Sequence, residues 1–298
     1  MGYFFLLIAL LCGATKGFCG KKTSGYVEGF ADAMLANTVR MVFCIAIGAV
    51  MMLLAGDTSY FVPERRLLLL SALSGISTSV FVVSWLVAVK KGAYMMLDVF
   101  LMLGVLVPTL ASYALFGEPI RINQWIGMAV VFVAVLIMCS YNNSIKEKIT
   151  PASMLLLVVC GLSNGITDFS QKCFVKTAPE VPASAFNFYT YIFSAITLLI
   201  CYIVLNHRAS QKEEKKESPL KHIIGYVLLM SLCLFLNSYF KTLAAAHLDS
   251  AQLYPLNQGA ALILSSVMAA VFFKEKLTMK AIIGLVIAFA GLLIINVL

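Results

Sequence analysis

One stretch of the sequence carries more chemistry than any other. Asn164, Asp168, Gln171 and Lys172 recur at i, i+4, i+7 and i+8 within the apolar run 151–175. On a helix that spacing puts all four on one stripe. A stripe of two amides, a carboxylate and an ammonium does not face hydrocarbon, so it faces protein or water, where it can bind a polar solute. Asp168 and Lys172 are also spaced for an intrahelical i,i+4 ion pair. A second group, Tyr254, Asn257 and Gln258, follows the same helical spacing around Pro255. The proline removes a backbone donor; in a first turn it only starts the helix, and deeper it kinks it. Asn237 and Lys241 stand one turn apart in a third run.

Single charges complete the set. Arg40 lies too deep in its run to snorkel easily, so it is either locked to a carboxylate such as Asp98 or faces a solute. Lys16, Lys172 and Lys241 lie nearer run ends, where snorkelling to the interface competes with a functional role. Trp85 reads equally as a cavity wall or as packing. The expected substrate site is therefore Arg40, Trp85, Asp98, Asn164, Asp168, Lys172, Asn237, Lys241, Tyr254, Asn257 and Gln258, with Lys16 as a gate candidate. Cationic groups there meet a carboxylate, amides meet polar atoms, and Asp98 or Asp168 meets an amine or a coupling proton.

The elements that hold these residues must be membrane helices. Of 298 residues, 61% are hydrophobic and 12% charged, with a mean hydropathy of +0.94. Soluble domains carry about twice that charged fraction. A charged side chain at the centre of a bilayer costs roughly 2.5–3.5 kcal/mol on insertion scales, which is why the buried charges mark function or a partner. The apolar runs are continuous rather than alternating, which excludes a barrel and leaves helices.

We read spans at 2–20, 29–55, 67–90, 93–116, 121–141, 151–175, 183–206, 222–247, 250–273 and 278–297. The first run lacks the basic start and small-x-small site of a signal peptide and is expected to be retained as a helix. The polar breaks are clearest at 142–148 and 207–221. The two halves repeat: Phe116-Gly117-Glu118-Pro119 falls on Phe273-Lys274-Glu275-Lys276, and Gly127 on Gly284 at the same offset. Nearer the N-terminus, Cys12-Gly13 and Gly17 fall on Cys160-Gly161 and Gly165. The expected fold is an all-α polytopic membrane protein, ten transmembrane helices in two five-helix repeats, 1–148 and 149–298. An odd number of helices per repeat makes the second copy enter from the opposite side, giving inverted repeats with a site between them. The paired glutamates read as hydrated markers of the interface, within reach of neighbours such as Arg121 or Lys276.

The net charge of +8 sits in loops flanking the apolar runs, which speaks for topology control and lipid contact rather than nucleic acid. Most basic residues, among them Lys21, Lys22, Lys90, Lys91 and those of the 207–221 loop, fall on one side. The positive-inside rule makes that side cytoplasmic and places both termini outside. The eight cysteines show no metal-ligand spacing and read as small, reduced, buried residues. No metal and no cofactor is expected.

Gly117-Glu118-Pro119 with Gln124-Trp125-Ile126-Gly127, and Lys274-Glu275-Lys276-Leu277-Thr278 with Ile283-Gly284, together resemble the drug/metabolite transporter superfamily, in its ten-helix EamA-type branch. Gly13-Ala14-Thr15-Lys16 and Arg40 fit the same pattern. The resemblance covers essentially the whole chain. It implies a basket of ten helices that exports or exchanges amino acids, metabolites, sugars or drugs by alternating access. Members are often drawn with cytoplasmic termini, opposite to the charge bias here.

The leading expectation is a secondary transporter of a small polar or zwitterionic metabolite such as an amino acid, in the plasma (inner) membrane, with a proton as candidate coupling ion. A multidrug, quaternary-cation or sugar transporter of the same fold is the alternative; the mixed sign of the deep charges speaks against a purely cationic drug. An intramembrane enzyme fits less well. The three histidines are far apart in sequence, and no His-Glu-x-x-His motif is present. A receptor or scaffold would leave inverted repeats without an obvious use.

Overall fold

The computed structural model describes residues 1–27, 30–90, 94–139, 151–209, 220–273 and 279–297. Glu275, the loops at 142–148 and 210–219, and the side chain of Asp98 lie outside the described residues. Among those described the regular structure is entirely helical: α1 (Gly2–Ser24), α2 (Phe30–Ala55), α3 (Arg65–Lys90), α4 (Tyr94–Gly104), α5 (Leu106–Phe116), α6 (Ile122–Cys139), α7 (Pro151–Thr177), α8 (Ala183–Ala209), α9 (Leu220–Ala245), α10 (Ser250–Phe273) and α11 (Met279–Val297). A single 3-10 turn, Thr58–Phe61, precedes α3.

Seven of these helices, α1–α3 and α7–α10, are long and apolar enough to cross a membrane. The remaining apolar stretches, Phe100–Phe116, Ile122–Ala134 and Ile282–Ile295, are shorter among the described residues. Large apolar side chains such as Phe4, Leu54, Trp125, Val286 and Phe289 point outward, as lipid contact requires.

The run expected as one helix over 93–116 is two, interrupted at Val105. Pro108 has no N–H, so the Gly104 carbonyl four residues earlier receives no helical hydrogen bond, and the helix breaks there. The break also meets α7 at very short range. A Cβ built on Gly165 would lie 3.1 Å from the Gly104 carbonyl carbon, and one on Gly161 3.0 Å from that of Phe100. Small residues let the two backbones touch, which is how helices gain packing energy where lipid offers no hydrophobic drive.

Packing between the halves follows a pattern of exchange. Taking α4 and α5 as one element, α1 packs on α9 as α7 packs on α3, α2 packs on α8, and α6 packs on α11. The contacts of α3 with α8 and of α4–α5 with α7 recur as those of α9 with α2 and of α10 with α1. The core between them is lined by Trp85, Tyr191, Leu234 and Phe235.

One end of the bundle is closed by polar ties. The Tyr189 hydroxyl donates to the carbonyls of Tyr60 and Phe61, both at 3.0 Å, and Arg66 donates to the Thr177 carbonyl at 3.1 Å. Glu118 is the centre of this closure. Gly117 ends α5 in the left-handed conformation, φ 63°, with its N–H returned to the carbonyls of Ser112 and Tyr113. Glycine enters that conformation without the Cβ penalty, and Pro119 cannot resume the helix. The turn carries Glu118 inward rather than out to water. Its carboxylate is 6% exposed, pairs with Lys172 of α7 at 2.8 Å and Lys176 at 3.1 Å, and accepts the Ser250 N–H at the start of α10 at 2.9 Å. The expectation of a hydrated marker beside Arg121 is therefore corrected: the Gly-Glu-Pro turn buries its carboxylate as a tie between three helices.

Candidate functional site

The polar residues singled out in the sequence separate into cavity walls and helix ties. A cavity of about 110 Å³ lies among the middle stretches of α1, α3, α4, α7, α8, α9 and α10. Of the expected residues, Lys16, Trp85, Asn164, Asn237, Lys241, Asn257 and Gln258 line it. Gln171, on the α7 stripe, lines it as well. A small side chamber shares the wall of Lys16, Phe81 and Trp85 and reaches Arg40.

The α7 stripe faces inward, but its charges pair away from one another. Asp168, fully buried, forms its ion pair with Lys241 of α9. The Asn164 amide donates to the second carboxylate oxygen at 3.4 Å. Lys172 instead reaches Glu118 and donates to the backbone carbonyls of Ala245 and Leu248 at 3.1 and 2.8 Å. The intrahelical Asp168–Lys172 bridge allowed by the spacing does not form. Each charge, paired with a partner elsewhere in the fold, also keeps further polar contacts, Asn164 beside Asp168 and two backbone carbonyls beside Lys172, which is the condition under which a buried pair is stable. Lys172 and Lys241, both readable as snorkelling, are 1% and 7% exposed and paired inside the bundle.

Tyr254 is also a tie rather than a wall. Its hydroxyl donates to the Asp168 backbone carbonyl at 2.7 Å, joining α10 to α7. Asn237 donates to the Ala9 carbonyl at 2.6 Å and so holds α9 to α1 while bordering the cavity. Pro255 stands in the second turn of α10, past the point where it would merely start the helix, and leaves the Ala251 carbonyl without its helical donor.

Arg40 is buried at 4% exposure. Its Nη1 donates to the Asn37 Oδ1 at 2.8 Å, while Nε has no hydrogen-bond partner among the described residues. Lys16 holds its ammonium 5.9 Å from the centre of the Phe81 ring. Asn257 Oδ1 and Gln171 Oε1 are buried acceptors without a donor among the described residues.

Several wall residues escaped the sequence reading: Thr78, Phe81, Thr167, Tyr191, Ser238 and Ser265. A signal for part of them exists. The α3 segment 71–79 holds Ser71, Ser74, Ser77, Thr78 and Ser79 in an otherwise apolar helix, and such small hydroxyl residues gather at helix–helix contacts. Ser77 there lies 3.0 Å from Thr167 of α7, hydroxyl to hydroxyl. Phe81 and Tyr191 carry no such mark, because an aromatic side chain lines a cavity or fills a core equally well.

The sequence matches the EamA-like transporter family over residues 1–140 and 151–297. No curated protein matches it. A solved structure described as "Crystal structure of protein" is 16% identical, with a TM-score of 0.73, and the match covers 99% of this chain and 96% of that one. At that identity the likeness speaks for the fold alone.

Proposed function

The chain belongs to the EamA-like transporter family, and from that premise we propose that it is a secondary transporter of a small polar or zwitterionic metabolite, working as exporter or exchanger by alternating access. Membership makes it a multi-pass membrane protein of a non-enzymatic transporter family. The observation that carries the finer reading is the cavity, whose walls come from both halves of the chain: α1, α3 and α4 on one side, α7 to α10 on the other. A site between two repeats is reached alternately when one half rocks against the other.

The exchange pattern of helix contacts supports ten spans in two inverted repeats, with α4 and α5 forming one broken span. Broken helices at a repeat interface are a recurrent device of such transporters. The Glu118–Lys172 tie and the polar contacts around it close one end of the bundle, and opening that end requires breaking them. Asp168, paired with Lys241 at the cavity edge, is the candidate for a coupling proton.

Flux into proteoliposomes made with the purified full chain tests the reading. Counterflow of a radiolabelled solute that also stabilises the protein supports it; a panel of amino acids, sugars and nucleotides with neither binding nor flux removes it. Lys16→Ala and Lys172→Ala are expected to impair uptake, and unimpaired flux in both discards their role as gates.

A further inference from the structure

Among the described residues, the cavity and its side chamber hold more positive charge than their partners neutralise. Asp168 is the carboxylate at its edge among the described residues, and Lys241 already engages it. That leaves Lys16 and Arg40, which share the walls of the side chamber with Phe81 and Trp85. Lys16 has an aromatic face as its contact and Arg40 a neutral amide. Neither equals a carboxylate pair: a cation–π contact is a fraction of one, and a guanidinium with one amide partner among the described residues has donors to spare. Arg40 Nε, buried and without a partner among the described residues, is one of them.

Arg40 is buried and Lys16 half-buried on the cavity wall, and two such cations inside a membrane protein are unfavourable unless something of opposite charge completes the site. We infer that the Lys16–Arg40 chamber is the anion subsite of the transporter and that its substrates are small organic anions, bearing a carboxylate or phosphate, in preference to neutral zwitterions. The narrowing rests on the transporter reading above. A zwitterion satisfies the chamber with its carboxylate but brings an ammonium that meets no free carboxylate among the described residues, since Asp168 is engaged. A net-anionic solute neutralises the cations without that cost. Arg40 offers two parallel donors to a carboxylate or phosphate and Lys16 a point charge. The chamber itself, about 10 Å³, takes no more than the tip of the anionic group, and the carbon skeleton lies in the adjoining cavity of about 110 Å³, which Lys16, Phe81 and Trp85 also line.

Three probes on a common five-carbon skeleton separate charge from shape: glutarate, glutamate and glutamine. Glycerol 3-phosphate separates phosphate from carboxylate. The readout is the thermal unfolding of the purified full chain in detergent, titrated with each probe. Glutarate, glycerol 3-phosphate or both are expected to raise Tm at least tenfold more tightly in apparent Kd than glutamine, with glutamate between them. Arg40→Gln and Lys16→Gln are expected to weaken the anion about tenfold or more, and Arg40→Lys to recover part of it. Glutamine binding as well as the anions, or anion binding unchanged in both Gln variants, overturns the inference.

The unliganded variants give a second measure that does not need the ligand. Removing an uncompensated cation relieves the empty site, so Lys16→Met is expected to hold or raise the Tm of the unliganded protein. A clear fall shows that Lys16 is neutralised by a group of the protein, which overturns the inference. Anions that bind without being moved in proteoliposomes refute the transport reading and leave the subsite standing. Zwitterions that are moved while anions neither bind nor move do the reverse.

Discussion

The Glu118 carboxylate and the Lys172 ammonium lie 2.8 Å apart between the α5–α6 turn and α7, with 6% and 2% of the two side chains exposed. Around them Lys176 and the Ser250 N–H add to the carboxylate, and two backbone carbonyls add to the ammonium. One end of the bundle is thus held by charges that each have several partners. That satisfies the condition under which a buried pair is worth keeping.

Glu118→Gln removes the charge and leaves Lys172 buried beside carbonyls alone. The expected cost is about 3–5 kcal/mol, the usual penalty for stranding one partner of a buried pair. Thermal unfolding in detergent measures it. Glu118→Gln combined with Lys172→Met is expected to recover part of the loss, and a double variant no better than the single removes the pair as its cause.

Burial pushes the Glu118 carboxyl up, but the Lys172 ammonium and the Ser250 N–H together outweigh it and hold the group below the ordinary glutamate range. A carboxylate depressed in the folded state contributes stability above its unfolded pKa, about 4.3, and loses it as pH falls through the lower folded value. Wild-type Tm is therefore expected to fall more steeply below about pH 4.3 than that of Glu118→Gln. Parallel acid limbs for the two proteins contradict the assignment.

At the α4–α7 contact, Gly161→Ala places a methyl group 3.0 Å from the Phe100 carbonyl carbon, where backbone cannot yield cheaply. A loss of about 1–3 kcal/mol is expected from overpacking. Gly225→Ala in α9 is the control, because a Cβ there meets nothing within 4 Å. Relieved of a helical glycine, that variant is expected to be neutral or stabilised by up to about 1 kcal/mol. Equal Tm values for the two variants would falsify the close backbone approach.

Asp168 and Lys241 are expected to behave as a unit. Asp168→Asn alone strands a buried ammonium and lowers stability, whereas Asp168→Asn with Lys241→Gln recovers much of it. If Asp168 carries the coupling proton, the stable double variant catalyses counterflow but does not accumulate solute against a proton gradient. Undiminished gradient-driven accumulation in that variant rules Asp168 out as the coupling group.

The protein has two tryptophans, Trp85 on the cavity wall and Trp125 on the outer face. Trp125→Phe leaves emission from Trp85 alone. A bound solute is expected to shift or quench that emission with the same apparent Kd as its thermal stabilisation. A ligand that stabilises without changing Trp85 emission binds elsewhere.

Hydropathy alone determined that this chain is made of membrane helices, and nearly every run found in the sequence is a helix in the structure. A bilayer offers the backbone no other partner, so a long apolar run has little choice. The polar stripe of α7 was also visible, because a helix fixes which residues share a face. What faces that stripe is not written in its spacing. Asp168 took Lys241 from 73 positions away, and Lys172 took Glu118, because packing rotated α7 so that its two charges meet different neighbours. The same rotation made Tyr254 a tie and left Asn257 and Gln258 on the cavity wall. The sequence by itself decided that polar groups lie inside the membrane; the tertiary structure decided which of them neutralise one another and which remain for a solute. Helical periodicity is a property of one segment, whereas the partner of a buried charge depends on the orientation of several.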